Sequence, residues 1–184
     1  MNDNNLVHGR YELRCVGSDG IVKWEDGFDN LVTDEGANFL LTQAFNTAIN
    51  STYFLGLISS VTYSAIIAGN TAAQIKSQSS AAGTNGWFEA GGATYLPTWS
   101  SPATNIRQTV AWAAAGSRTR ALSATANFTM SAAGTVQGCF IVTGSGAVST
   151  NGSLAGTLYS AGAFGSPKVV SNLDVLQVTY STSV

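Results

Sequence analysis

At 184 residues, 45% hydrophobic and only 10% charged, the chain is sized for one domain with a buried core and too poor in charge for a disordered tail or a solvated helix array. A net charge of −2, with eight scattered Lys and Arg, supplies no basic stripe and argues against nucleic acid or an anionic membrane surface as partner. Ala, Ser, Thr and Gly make up 86 residues, so much of the surface is neutral and small, a character that suits burial against other surfaces.

Residues 1–9 read as a flexible N-terminal arm, with His8 a solvated tail residue, and residues 10–184 as a single domain. From Arg10 to Val16, polar Arg10, Glu12 and Arg14 alternate with apolar Tyr11, Leu13 and Cys15, the period of a strand with one wet face. A Ser18-Asp19-Gly20 turn and a second strand, Ile21 to Asp26, complete a hairpin. The following Asp26-Gly27-Phe28-Asp29-Asn30 run lacks the ligand spacing of a calcium loop and reads as a solvated turn. Thr33 then caps a helix near residues 34–46, with Asp34 and Glu35 in its first turn and an apolar stripe of Ala37, Leu40, Leu41, Ala44 and Phe45.

Beyond the helix, Tyr53 to Ser59 is an apolar strand interrupted by Gly56. A Ser-, Gly- and Asn-rich stretch from about Gly69 to Ala103 reads as a long loop carrying Trp87, Phe88, Tyr95 and Trp99, aromatics that either plug the end of a core or face a partner. Strand patterns resume at Thr109–Ala113, Arg120–Thr129, Val136–Thr143, Gly156–Ala161 and Leu173–Tyr180. Eight strands with one short helix predict a mainly β fold, a two-sheet antiparallel sandwich of jelly-roll-like type.

Catalytic chemistry finds little to work with. The sole histidine lies in the N-terminal arm, so a nucleophile and base arrangement lacks a held base. Glu25, Asp26, Asp29 and Glu89 are the carboxylates left for glycoside cleavage, but Glu25 and Asp26 are adjacent on a strand and point to opposite faces. Gly144-Ser145-Gly146 lacks the rest of a nucleotide fingerprint and reads as a turn. Cys15 and Cys139 lack zinc spacing and read as buried free thiols. No catalytic residue, cofactor or metal ligand is assigned. Met1 to Asn5 has no basic n-region and no stretch reaches a membrane span, so the chain reads as made in the cytoplasm. Charge is uneven: residues 1–35 carry −5 and the remainder +3, which fits either steering toward a basic surface or a solvated strand face.

The run Lys23-Trp24-Glu25-Asp26-Gly27-Phe28-Asp29-Asn30-Leu31-Val32-Thr33-Asp34-Glu35-Gly36-Ala37-Asn38-Phe39-Leu40-Leu41 resembles the opening of a family of small tailed-phage structural proteins, the capsid cement (decoration) proteins of short-tailed phages. Further similarity follows at Tyr53–Ile58, Tyr63, the Ala68-Gly69-Asn70-Thr71 turn, Trp87-Phe88-Glu89, Tyr95, Gly138–Ile141, Gly156–Ser160 and Phe164. Asn70 stands where relatives often carry Asp, and Gln74 to Gly86 is longer than usual. The resemblance implies a jelly-roll-like virion protein on the capsid exterior that bridges major capsid subunits and self-associates as a dimer or trimer. Trp87, Tyr95 and Trp99 are the expected interface anchors, because aromatics dominate binding hot spots. The competing reading is a tail or tail-fibre module that recognises a host surface glycan.

Overall fold

The computed structural model describes residues 7–45, 51–78 and 83–184. Its first hairpin follows the period-two pattern: β1 (His8–Val16) buries Tyr11, Leu13 and Cys15 and exposes Arg10, Glu12 and Arg14. The strand starts at His8, so residues 8 and 9 belong to the sheet and not to an arm, and residues 1–6 lie outside the described residues. The turn closes through Gly17 N–H to Ile21 O at 2.8 Å, with Gly20 at φ +79°.

β2 (Val22–Val32) runs well past the expected end at Asp26, and the 26–30 stretch is strand, not turn. Packing explains the extension: Phe28 lies against Tyr11 and Phe164, with ring centroids 5.4 and 4.6 Å away. The outer end of β2 changes partner. Gly9 to Val16 of β1 pair with residues up to Asn30, whereas Leu31 and Val32 pair with Ala161 and Ser160 of β10 (Thr157–Val170).

β2 thereby joins two halves of one antiparallel, eleven-stranded curled sheet. The first half has the order β2-β1-β11-β8-β5, with β5 at Thr98–Ser101, β8 at Ala126–Ala132 and β11 at Val175–Ser183; β7 (Thr119–Ala121) pairs with β11. The second has the order β4-β3-β9-β10-β2, with β3 at Tyr53–Ser59, β4 at Phe88–Glu89 and β9 at Gly134–Thr143; β6 (Gln108–Val110) pairs with β3. Eleven strands replace the expected eight because β4 and β5 lie in the stretch read as loop. The expected Arg120–Thr129 strand also breaks at Ser123–Thr125, leaving Leu122 half-buried and Ala124 exposed.

The inward residues of both halves share one core. Tyr11, Leu13 and Cys15 of β1, Leu176, Val178 and Tyr180 of β11, and Ala126, Phe128 and Met130 of β8 pack with Leu55 and Leu57 of β3, Cys139 and Ile141 of β9, and Tyr159 of β10. A second core lies on the opposite face of β3, β9 and β10. There Phe54, Ile58, Phe140, Val142, Leu158 and Ala161 are covered by Ala72, Ile75 and Trp87, with Tyr63 and Ile66 at the margin. β3, β9 and the first half of β10 are therefore buried on both faces, which is why β9 is buried without alternation from Val136 to Thr143, Gln137 included.

α1 (Asp34–Phe45) begins at the expected cap, with Gly36 N–H donating to Thr33 Oγ1 at 3.1 Å. Its buried face is rotated from the expected stripe: Gly36, Phe39, Leu40 and Gln43 turn toward the sheet, while Ala37 is exposed and Leu41 is 60% exposed. Gly36 sets the rotation, since a Cβ there would lie 2.1 Å from the Tyr159 carbonyl oxygen; the helix presses its one side-chain-free position onto β10. The side chains of Ala44 and Phe45 lie outside the described residues. Among the described residues no helix is long and apolar enough to cross a membrane.

Candidate interaction surface

Two of the three expected anchors are core residues. Trp87 is fully buried in the second core, its ring 5.2 Å from Phe140 and its Nε1 donating to Asn70 Oδ1 at 3.2 Å. Asn70 Oδ1 also accepts from Ile67 N–H at 3.1 Å, so this residue fastens the covering loop to the indole beneath it. Trp99 is equally buried, edge-on to Phe128 at 5.2 Å, with Nε1 donating to Ile106 O at 2.8 Å. Neither indole presents a surface to a partner, because each fills its own side of the curled sheet. Tyr95 alone remains partly open, stacked on Phe88 at 3.9 Å, with Lys76 Nζ 4.5 Å from the Phe88 ring.

The long loop is held down by polar ties that a sequence pattern does not reveal. Glu35 Oε2 accepts Ala72 N–H at 2.9 Å and Leu158 N–H at 2.7 Å, bridging helix, loop and sheet. Thr71 and Gln74 form a capping box around the short 3-10 turn Ala72–Gln74. Gly144-Ser145-Gly146 is a turn as expected, with both glycines at positive φ and Ala147 N–H bonded to Gly144 O at 3.2 Å.

Each carboxylate considered for glycoside cleavage is held by a cation. Glu25 meets Arg14 at 3.0 Å, Asp29 meets Arg10 at 3.1 Å, and Asp26 pairs with Lys168. The Lys168 hydrogen bond, with Gly27 N–H, lowers the Asp26 pKa below its ordinary value. Glu89 is wholly buried against Arg107, whose Nε and Nη2 donate to Oε1 and Oε2, each at 2.8 Å. Gly152 N–H donates to the same carboxylate at 2.8 Å, and Arg107 Nη2 also reaches Ser153 O at 3.0 Å. This bidentate pair pins β4 to the Ser149–Ser153 turn beneath the surface, where no substrate reaches it.

Both cysteines are free and buried, as expected. Burial pushes the Cys15 thiol up to about 12, helped by the adjacent Asp174 charge, and burial raises Cys139 further. Neither has the thiolate character of a nucleophile. Asp174 is 1% exposed and receives Lys23 Nζ at 2.7 and 2.9 Å and Ser171 N–H at 2.7 Å.

Among the described residues, a broad surface that no other segment covers is the outer face of β2, β1, β11 and β8. There β1 presents Arg10, Glu12 and Arg14, and β11 adds half-buried Gln177 and exposed Thr179. Glu25 and Asp29 extend the face on β2, directly opposite Arg14 and Arg10. A shallow groove of about 620 Å³ runs along this face. No family model, curated protein or solved structure matches the chain.

Proposed function

We propose that the chain is a non-enzymatic structural protein of a phage virion that binds the outer capsid surface and cements neighbouring major capsid subunits, its curled sheet forming a jelly-roll-like two-sheet sandwich. The observation that carries this reading is the asymmetry of the sheet. In one half, β3, β9 and the first half of β10 are covered on both faces by the chain's own cores. The other half leaves one polar face of long strands bare.

Strands of nine residues and a four-strand width give that face about 30 Å by 20 Å. Roughly 600 Å² per copy is somewhat below the ~800 Å² per partner of a standard stable interface. Such a contact is modest alone and becomes effective when one body spans two subunits, because the second contact forms at high effective concentration. The test is quantitative mass spectrometry of purified virions. Copies comparable to the major capsid subunit support a lattice-wide cement, and absence from the particle overturns it.

A second reading, a tail or tail-fibre module that takes a host glycan, is favoured by the half-open Tyr95–Phe88 stack, a surface on which a sugar ring can lie. A few copies per particle would support it over the cement.

A further inference from the structure

We propose that the outer face of β1, β2 and β11 is the docking surface for the capsid subunit, and that Glu12 receives a basic side chain of that subunit. The inference rests on the cement reading and adds to it the face and the chemistry of contact.

The register of the hairpin leaves one charge over. Arg14 stands directly opposite Glu25 and Arg10 directly opposite Asp29, and each pair closes, at 3.0 and 3.1 Å. Glu12 stands opposite Gly27, which has no side chain to offer. On its other flank it stands opposite Thr179, a neutral hydroxyl. Among the described residues its one ionic contact is Arg10 Nε at 3.5 Å, a guanidinium already donating to Asp29. Two cations therefore serve three carboxylates, and the Glu12 side chain is 67% exposed.

Gly27 shapes the face as well as vacating it. A Cβ at this position would lie 2.8 Å from Arg10 Nη2, so its absence lets the guanidinium lie flat across β2 toward Asp29. The groove that results is lined by Arg10, Glu12, Arg14, Glu25, Gln177 and Thr179. Leu13, also at the groove, turns its side chain into the core at 2% exposure, so the groove offers a partner no exposed aliphatic or aromatic side chain. An apolar helix or a stacked sugar ring gains little there. A Lys or Arg gains a carboxylate whose described cation, Arg10, is shared with Asp29, flanked by an amide and a hydroxyl that can accept its remaining hydrogens.

The experiment titrates the purified full chain onto capsid particles prepared without it, at several salt concentrations, and reads bound chain by co-sedimentation. Relative to wild type, Glu12→Lys is expected to weaken binding by roughly tenfold, and Glu12→Gln by less, with a flatter salt dependence. Thr179→Lys keeps Glu12 but gives it an internal cation, and is expected to reproduce the loss. Leu41→Ser, on the exposed face of α1, is expected to bind as wild type does. All variants must first show the wild-type thermal unfolding midpoint, which their exposure favours.

Wild-type affinity in both Glu12→Lys and Thr179→Lys overturns the docking face while leaving the cement reading intact. Failure of the wild-type chain to bind overturns both. A change in self-association by sedimentation velocity, with particle binding unaltered, assigns the face to a second copy and also overturns the proposal.

Discussion

Replacing Arg107 by Met tests whether the buried ion pair is a structural fastener. The change keeps most of the side-chain volume but removes two charge-assisted hydrogen bonds to Glu89 and the bonds to Ser153 O and Val148 O. It leaves a carboxylate at 0% exposure with Gly152 N–H as its remaining donor at 2.8 Å. Removing one partner of such a pair costs about 3–5 kcal/mol, because the survivor's charge is left uncompensated in a medium that solvates it poorly. At about 2–4 °C per kcal/mol for a domain of this size, the melting temperature falls by about 6–20 °C. The assay is urea and thermal unfolding followed by tryptophan fluorescence, since Trp87 and Trp99 are buried on either side of the sheet. A double variant, Glu89→Leu with Arg107→Met, removes both charges and should recover much of the loss, although Gly152 N–H and Ser153 O remain without their partner. A single variant within about 1 kcal/mol of wild type would refute the reasoning and return Glu89 to the residues available for chemistry.

Three further outcomes follow from the same geometry. Trp99→Ala should destabilise by about 3–5 kcal/mol in the same unfolding assay, as loss of a buried indole does. An unchanged midpoint would show that the side chain does not fill the core. Leu40→Ala should lower the urea midpoint clearly, whereas Leu41→Ala should change stability by less than about 0.5 kcal/mol, since only Leu40 packs on the core. Equal effects would refute the rotated helix face. For Asp174, burial alone would raise the pKa, but Lys23, Ser171 N–H and Cys15 Sγ–H outweigh it and hold the carboxyl below its ordinary value. A depressed folded pKa contributes stability above the unfolded value of about 3.9 and loses it as pH falls through the folded one. The midpoint should therefore hold from neutral pH to about 5 and drop below about 4, and Asp174→Asn should lessen that drop; an unaltered acid profile in the variant would refute the assignment.

The parts of the fold legible in the sequence were those where one face is wet. β1 alternates because its outer side meets water, and the Thr33 cap is legible because capping is local chemistry. Where the sheet is covered on both sides the period disappears, so Tyr53–Ser59 and Val136–Thr143 announce burial without saying what buries them. The cover is a chain segment of small residues held by the local Thr71–Gln74 box and by Asn70 and Glu35, whose bonds reach Trp87 and Leu158, positions far apart in sequence. Trp87 and Trp99 differ from the expected anchors because the segments that bury them are not marked by any sequence period. β4 has two residues and β5 four, too short for any period to mark them as strands. The helix stripe failed by one position because apolar spacing ranks Ala37 and Leu41 with Leu40, and only the contact of Gly36 with the Tyr159 backbone decides between them. The surplus charge at Glu12 required the register itself, since it exists only because Gly27 falls opposite.

That register also changes the meaning of the acidic N-terminal segment. Of its charges, Glu25 and Asp29 are spent on Arg14 and Arg10, Asp26 on Lys168 from β10, and Lys23 on Asp174. Glu35 is turned inward to two backbone amides, and Asp34 lies in the first helical turn, where the dipole favours it. These pairs leave most of the −5 of residues 1–35 in place, because Arg10 and Arg14 are already counted in it and Lys23 serves Asp174; its reach is limited by salt, which screens it beyond about 10 Å. On the proposed reading, a capsid subunit within that range is recognised by where single charges fall along the strands. Contacts of that kind are individually weak. On the cement reading proposed above, they would hold a particle together only through repetition, so the lattice, and not the single copy, would be the unit whose stability this surface raises.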